Sequence, residues 1–290
     1  LSNYLIKDEQ ENSKKAFFFS VLFALAELLR CYLFSGFPWA ILSYGWLDTP
    51  VSVFVTWLGP YILNSIIIIV GFNLFYSSKL NNTFKVIFLL TAFYGLQNIY
   101  LENDIPEANE KLIVRLVQPN IKQKDKWKKE NELQHLEILI DLSNKSPKPD
   151  LVVWPETAVY WLPEENPEKL QIIAEQVRSP LLFGALRFNR DTKELFNAVF
   201  LIDDKGEIQS FYDKTFLVPF GEYLPMGGLL KYFNIFGNSY RLIDGFSRGS
   251  GLKLIKHSQF QTFLPLICYE ALFSNEILGE VNEAHWILNI

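Results

Sequence analysis

Cysteine is nearly absent from this chain, which has two in 290 residues, and histidine is scarcely commoner at three. No Cys, His, Asp or Glu residues stand at metal-ligand spacing and there is no His-rich tract, so nothing points to a metal centre. Positive charge is not in excess either. The 27 Lys and Arg face 32 Asp and Glu for a net charge of −5, and the basic residues are scattered, which argues against a nucleic-acid partner. No segment repeats. The most informative scarcity is local. Charge is thin before about residue 101, where long apolar runs dominate, and returns to ordinary globular density beyond it. This pattern predicts a membrane section, 1–104, followed by one α/β domain, 105–290.

Three stretches are candidates for crossing a bilayer, at 16–34, 51–76 and 86–101, the last being shorter and more polar. A cleaved signal peptide does not suit the first, because no small-residue cleavage site follows it and another span does. Lys and Arg are missing altogether from the loop 35–50, whereas Lys14 and Lys15 precede the first span and Lys79 and Lys85 flank the turn between the second and third. The positive-inside rule then puts the N-terminus and the 77–85 turn in the cytoplasm and the α/β domain outside it. Glu27 and Arg30, three apart on one helical face, either pair within the membrane section or lie at its outer interface with Arg30 snorkelling. Phe37, Trp39, Tyr44 and Trp46 suit an interfacial aromatic belt. Cys31 falls in the first span and Cys268 in the outer domain, so no disulfide between them is expected.

Beyond residue 111, short apolar runs alternate with amphipathic stretches. Strands are expected at 111–118, 151–154, 181–188, 196–203 and 286–290, with a hairpin turn at Asp203–Glu207. A helix over 130–144 carries Leu133, Leu136 and Ile140 at helical spacing, and another over 166–178 opens with Asn166 as N-cap and Pro167 at the first position. Strand, helix, strand order implies an α/β layered fold.

Chemistry-bearing residues recur where these strands end. Cys268 follows the strand "TFLPLI" and precedes a helix-like run, whose N-terminus would favour a thiolate. Glu156 follows "LVVWP", where proline stops the strand. Lys214 follows another strand, and Glu222 sits in the Gly- and Pro-bounded loop after it. Each has an ordinary reading by itself: a packed thiol, a helix-start acid, a turn lysine, a loop charge. Their shared position at strand ends favours a nucleophile, a base and an oxyanion donor.

The segments "WPETA" (154–158), "YDKTFLVPFGEYLP" (212–225) and "ICYE" (267–270) resemble the Glu-Lys-Cys signature of the nitrilase, or carbon-nitrogen hydrolase, superfamily. With membrane spans in front, and with "LAELLRCYLFSGFPW" (25–39) and "GFSRGSG" (245–251), the chain resembles the apolipoprotein N-acyltransferase family of Gram-negative-type bacteria. The resemblance implies an αββα sandwich on the periplasmic face of a multi-pass inner-membrane domain. Both ends of the family pattern are missing here, so a fragment with a C-terminally incomplete sandwich is expected. It also implies Glu156 as general base, Lys214 as oxyanion-stabilising lysine, Cys268 as nucleophile and Glu222 as a further active-site acid. Tyr269 and Glu270 are implied as supporting or substrate-binding residues beside the nucleophile, and Trp127 as a tryptophan on an arm over the site. A phospholipid acyl donor, a diacylated apolipoprotein acceptor, a monomeric state and no cofactor complete the expectation. Two other readings stay open: a membrane-tethered amide or nitrile hydrolase with the same triad, and a non-catalytic scaffold in which Cys268 only packs.

Overall fold

A computed structural model describes residues 2–33, 36–49, 52–76, 112–225 and 245–290. The expected third span, 86–101, lies outside them. The chain divides into two compact units, Leu1–Glu107 and Ala108–Ile290.

In the first unit, α1 (Ser2–Tyr32) begins well before the expected span at residue 16. Helix α2 (Val53–Tyr76) is broken at Gly59, whose φ of 73° and ψ of 164° no helix accommodates. Glycine takes that conformation without a Cβ penalty, and Pro60 then starts the second segment, where its missing N–H costs nothing. One helix among the described residues, Val53–Gly71, is apolar and long enough to cross a membrane. Glu27 and Arg30 do pair. Arg30 Nη2 and Nε reach Glu27 Oε2 and Oε1 at 2.9 and 3.2 Å. Arg30 Nη1 also donates to the carbonyls of Phe37 and Trp39, at 2.7 and 2.6 Å, and so pins the aromatic loop to the helix.

The second unit is α/β with a mixed sheet. Strands β1 (Val114–Leu116), β2 (Leu151–Val153), β3 (Leu181–Asn189), β4 (Glu194–Ile202) and β5 (Ile208–Asp213) lie in sequence order. The β1–β2 and β2–β3 pairs are parallel, and β3–β4 and β4–β5 antiparallel. A second sheet pairs β6 (Phe263–Leu266) with β7 (Trp286–Asn289) in parallel.

The period of two along each strand sorts side chains into layers. Val152, Phe183, Ala198 and Phe200 pack with Leu139, Leu170, Ile173 and Val177 from the helices at Glu132–Ser143 and Pro167–Val177. Leu151, Val153, Leu182, Val199 and Leu201 point the other way and pack with Phe263 and Leu288 of the second sheet. Leu264 and Leu266, on the outer face of β6, meet Ile277 of the helix at Ser274–Val281. The order is helix, sheet, sheet, helix.

Some local expectations fail for physical reasons. Leu133 is 74% exposed, and the buried stripe of its helix runs instead through His135, Leu139, Ile140 and Ser143. Asn166 occupies the N-cap position, but its amide donates to Leu162 O rather than capping the helix after it. The first strand has three residues where eight, 111–118, were expected, and the run after Cys268 breaks at Phe273 into a 3-10 turn (Cys268–Leu272) and the α-helix.

Candidate active site

Strands β2 and β5 run in the same direction, so their C-terminal ends share one edge of the sheet. Glu156 and Lys214 follow those ends. Lys214 Nζ lies 3.2 Å from Glu156 Oε1 and 2.8 Å from Glu222 Oε1. The lysine is 1% exposed, Glu222 13% and Glu156 27%, so the cation is sunk and Glu156 is the more open of its two carboxylates. Burial pulls the Lys214 ammonium toward a lower pKa, but the Glu156 and Glu222 carboxylates outweigh it and the net shift is upward.

Close backbone packing fixes each residue. Gly184 on β3 lies under the turn that carries Glu156: Ala158 N–H donates to Gly184 O at 2.7 Å and Gly184 N–H to Pro155 O at 3.2 Å. A Cβ at Gly184 would come 2.5 Å from Thr157 N and 2.6 Å from Glu156 Cα, so a larger residue would push Glu156 away. The loop bearing Lys214 and Glu222 is tied down by 245–251. Phe246 N–H donates to Glu222 O at 2.7 Å and Gly249 N–H to Lys214 O at 2.8 Å, while Arg248 Nε binds Thr215 O at 2.8 Å. A side chain at Gly249 would collide with Asp213 O. Glu222 is also held by Val218 N–H, which donates to its Oε2 at 2.9 Å.

Cys268 stands at the elbow after β6 with φ of 50°, a left-handed conformation that costs a non-glycine residue about 1–2 kcal/mol. Its N–H donates to Ile290 O at 2.7 Å. The side chain is exposed, yet flanking protein withdraws enough water to push the thiol pKa up. The negative charge of Glu156 adds to that shift, Lys214 opposes it, and Glu222 adds again. The Tyr269 backbone N–H favours the thiolate, as expected of a helix start, but that contribution is outweighed. The net effect favours the protonated thiol at rest.

Glu270 lies inside the fold. It is fully buried and accepts four hydrogen bonds: from Tyr212 Oη, Thr215 N–H and Phe216 N–H on Oε1, at 2.6, 2.6 and 3.1 Å, and from Ile267 N–H on Oε2 at 2.8 Å. It therefore staples the Lys214 loop to the Cys268 elbow. Burial raises its pKa, and the four donors offset that shift only in part. Tyr269 is 2% exposed, with its ring edge-on to Phe273, so its side chain too lies in the core rather than in the site. Trp127 is 54% exposed and its ring lies 5.7 Å from that of Tyr160. Its neighbour Lys126 donates to the Glu156 carbonyl at 2.9 Å, which brings this segment to Glu156. Burial lowers the Lys126 pKa.

Asn197, Tyr212, Gly184 and Lys126 escaped the sequence reading. Asn197 carried a signal: within "FNAVFLI" it falls in phase with Val199 and Leu201, which makes it a polar residue on an inward apolar face. The structure brings together Glu156, Lys214, Glu222 and Cys268, the last through its electrostatic coupling to the other three. Among the described residues, no group of His, Cys, Asp and Glu could hold a metal ion.

Residues 2–73 match the apolipoprotein N-acyltransferase N-terminal domain, and residues 113–283 match the carbon-nitrogen hydrolase family. The apolipoprotein N-acyltransferase of Brucella melitensis is 33% identical over 94% of this chain, and that of Sinorhizobium fredii 32% over 93%. The chain spans 54% of the length of each of these curated relatives. A carbon-nitrogen hydrolase structure from Helicobacter pylori aligns with a TM-score of 0.44 and 15% identity, over 61% of this chain and 59% of that one. Cys268, Lys214 and Glu156 fall inside the longer family match, which takes in more than half of the sequence, and on that match the chain belongs to the carbon-nitrogen hydrolase family.

Proposed function

We propose that this chain carries the acyl-transfer site of an apolipoprotein N-acyltransferase, which moves a fatty acyl group from a phospholipid to the N-terminal amine of a diacylglyceryl-cysteine lipoprotein. The observation that carries the reading is one buried ammonium bound to two carboxylates, all three coupled to an exposed thiol. The names of the relatives supply the reaction.

Glu156 takes the proton of Cys268, and the sulfur attacks the carbonyl carbon of the phospholipid ester. Two N–H bonds of the Lys214 ammonium go to carboxylates, which leaves the third for the developing oxyanion, together with the Tyr269 backbone N–H. A preorganised donor of this kind contributes about 3–4 kcal/mol to the transition state. The intermediate collapses by breaking the C–O bond, the leaving oxygen takes the proton from Glu156, and lysophospholipid departs from a Cys268 thioester. The lipoprotein amine then attacks the thioester. Glu156 removes the amine proton and returns it to the departing sulfur, leaving an amide and a free thiol.

Exposed Trp127 and Phe220, on the segments that carry Lys126 and Glu222, supply apolar surface suited to an acyl chain. The resting state is a monomer in the bacterial inner membrane, crossed more than once, with the α/β unit on the periplasmic side. The Lys-free loop 35–50 and the exposed apolar side chains of α1 and α2, such as Phe18 and Trp57, support this placement.

The test is mass spectrometry of the Cys268 peptide after the protein meets phospholipid in detergent micelles. A hydroxylamine-labile acyl adduct, chased off by a diacylated lipopeptide amine, is expected. Chase by water at the same rate as by the amine would make the protein a hydrolase instead.

A further inference from the structure

Every hydrogen bond that the described residues make to the Glu156 carboxylate falls on one oxygen. Asn197 Nδ2 reaches Oε1 at 2.6 Å and Lys214 Nζ reaches the same atom at 3.2 Å. Oε2 receives none. The Asn197 amide nitrogen also donates to Glu222 Oε1 at 3.1 Å, so this side chain, 2% exposed on β4, touches both carboxylates that Lys214 binds. Its backbone is equally committed, because Lys214 N–H donates to Asn197 O at 2.8 Å.

The orientation of the amide follows from its neighbours. Turned end for end, it would aim an oxygen at two carboxylate oxygens. Held as it is, Asn197 Oδ1 is buried with no hydrogen-bond partner among the described residues. A buried acceptor left empty is unusual and is not explained by sheet packing, since Val199 and Leu201 fill the same face with apolar groups.

We propose that Asn197 is a positioning residue that divides the two oxygens of Glu156, clamping Oε1 against Lys214 so that Oε2 alone serves as the base for Cys268. A neutral donor suits this task. A second cation would quench the base, and an acceptor would repel it. The inference rests on the base role of Glu156 proposed above.

The test is single-turnover acylation of Cys268 in the whole protein by a p-nitrophenyl acyl ester, followed from acid to mildly alkaline pH. Nitrophenol release and the mass of the Cys268 peptide are the readouts, normalised to the folded fraction. Asn197→Ala should lower the plateau rate roughly tenfold and move the acidic limb upward, because the charged form of Glu156 loses a donor. Asn197→Asp keeps the shape and should move that limb further, by about one pH unit or more, since three carboxylates around one ammonium cannot all stay ionised. It keeps the test decisive should the alanine variant fail to fold. A wild-type limb in both variants overturns the proposal, as does a lowered plateau with no shift of the limb. Glu156→Gln separates the two levels. If it acylates like wild type, the base assignment falls and this inference with it; if it is slow while both Asn197 variants behave as wild type, only this inference falls.

Discussion

The two units each contain a close ion cluster, and the clusters are built on opposite principles. In the first unit Arg30 occupies both oxygens of Glu27 and gives two further donors to loop carbonyls. Charge is balanced one to one and each of the three guanidinium nitrogens has an acceptor. In the second unit one ammonium faces two carboxylates, Glu156 Oε2 has no partner among the described residues, and Asn197 Oδ1 is buried unpaired. A saturated cluster holds chain segments together. An unsaturated one stores the capacity to take a proton, and its surroundings must hold it in place. Gly184, Glu270 and the 245–251 segment do so here.

The largest effect should separate the two cysteines. Cys268→Ala is expected to abolish acyl-enzyme completely, because no covalent acceptor remains, while thermal unfolding stays as in wild type since the side chain is exposed. Cys31→Ala, at a 4% exposed position on α1, should leave thioester formation intact. Acyl transfer to a lipopeptide by the Cys268→Ala protein would return that cysteine to packing.

The next effect sets the lysine against the arginine. Lys214→Met leaves two carboxylates facing each other without a cation and removes the oxyanion donor. Acylation should fall by at least about a hundredfold. Stability should fall by about 3–5 kcal/mol, the range for an orphaned buried partner, and the 1% exposure of the lysine means that solvent screening offers little relief. Arg30→Met should free the 36–49 loop to proteolysis and leave acylation by a small activated ester unchanged. An Arg30 variant that blocks this acylation as strongly as the Lys214 variant would erase the distinction between the clusters.

The lysine cluster should also show itself in alkali. The folded state holds the Lys214 proton more tightly than the unfolded chain does. Its stabilisation is therefore complete below the ordinary lysine value of 10.5 and is lost as pH rises through the higher folded value. Denaturant unfolding on either side of that value should show wild type losing more stability than Lys214→Met. Equal losses would mean that the cluster does not hold the proton.

What could be read from the sequence was whatever sits at the end of an element. Proline after β2, the Gly- and Pro-bounded loop after β5 and the elbow after β6 each announce a strand end, and Glu156, Lys214, Glu222 and Cys268 could be named from those ends. The order of strand, helix and strand likewise implied the α/β layering. Residues in the middle of an element gave weaker signals. Asn197 looks like one more strand residue until β4 is paired with β5, and Glu270 looks like a solvent-facing acid until the Lys214 loop closes over it. The thiol went the other way from expectation. A helix start lowers a cysteine pKa only where desolvation and nearby negative charge do not outweigh it, and spacing along the chain reveals neither the burial nor the two carboxylates. Leu133 failed because helical spacing gives a face but not its phase relative to the core.

The smallest expected effect is the one whose sign is least intuitive. Glu156 raises the Cys268 pKa by its charge, second only to desolvation, and as the proposed base it also removes the thiol proton during acylation. Glu156→Gln separates these roles, because the amide keeps the shape, loses the charge and cannot accept the proton. Acylation by an ester should slow, since the thiol must then ionise unaided before attack. Alkylation by iodoacetamide depends only on the thiolate already present, and it should become several-fold faster at mildly alkaline pH as the thiol pKa falls toward its ordinary value. The two reactions of one sulfur should thus move in opposite directions in a single variant. Had Glu156 merely held the fold of the elbow, its loss would shift both rates the same way. Parallel changes in alkylation and acylation, measured on protein of wild-type melting temperature, would demote Glu156 to the kind of structural acid that Glu27 is in the other unit.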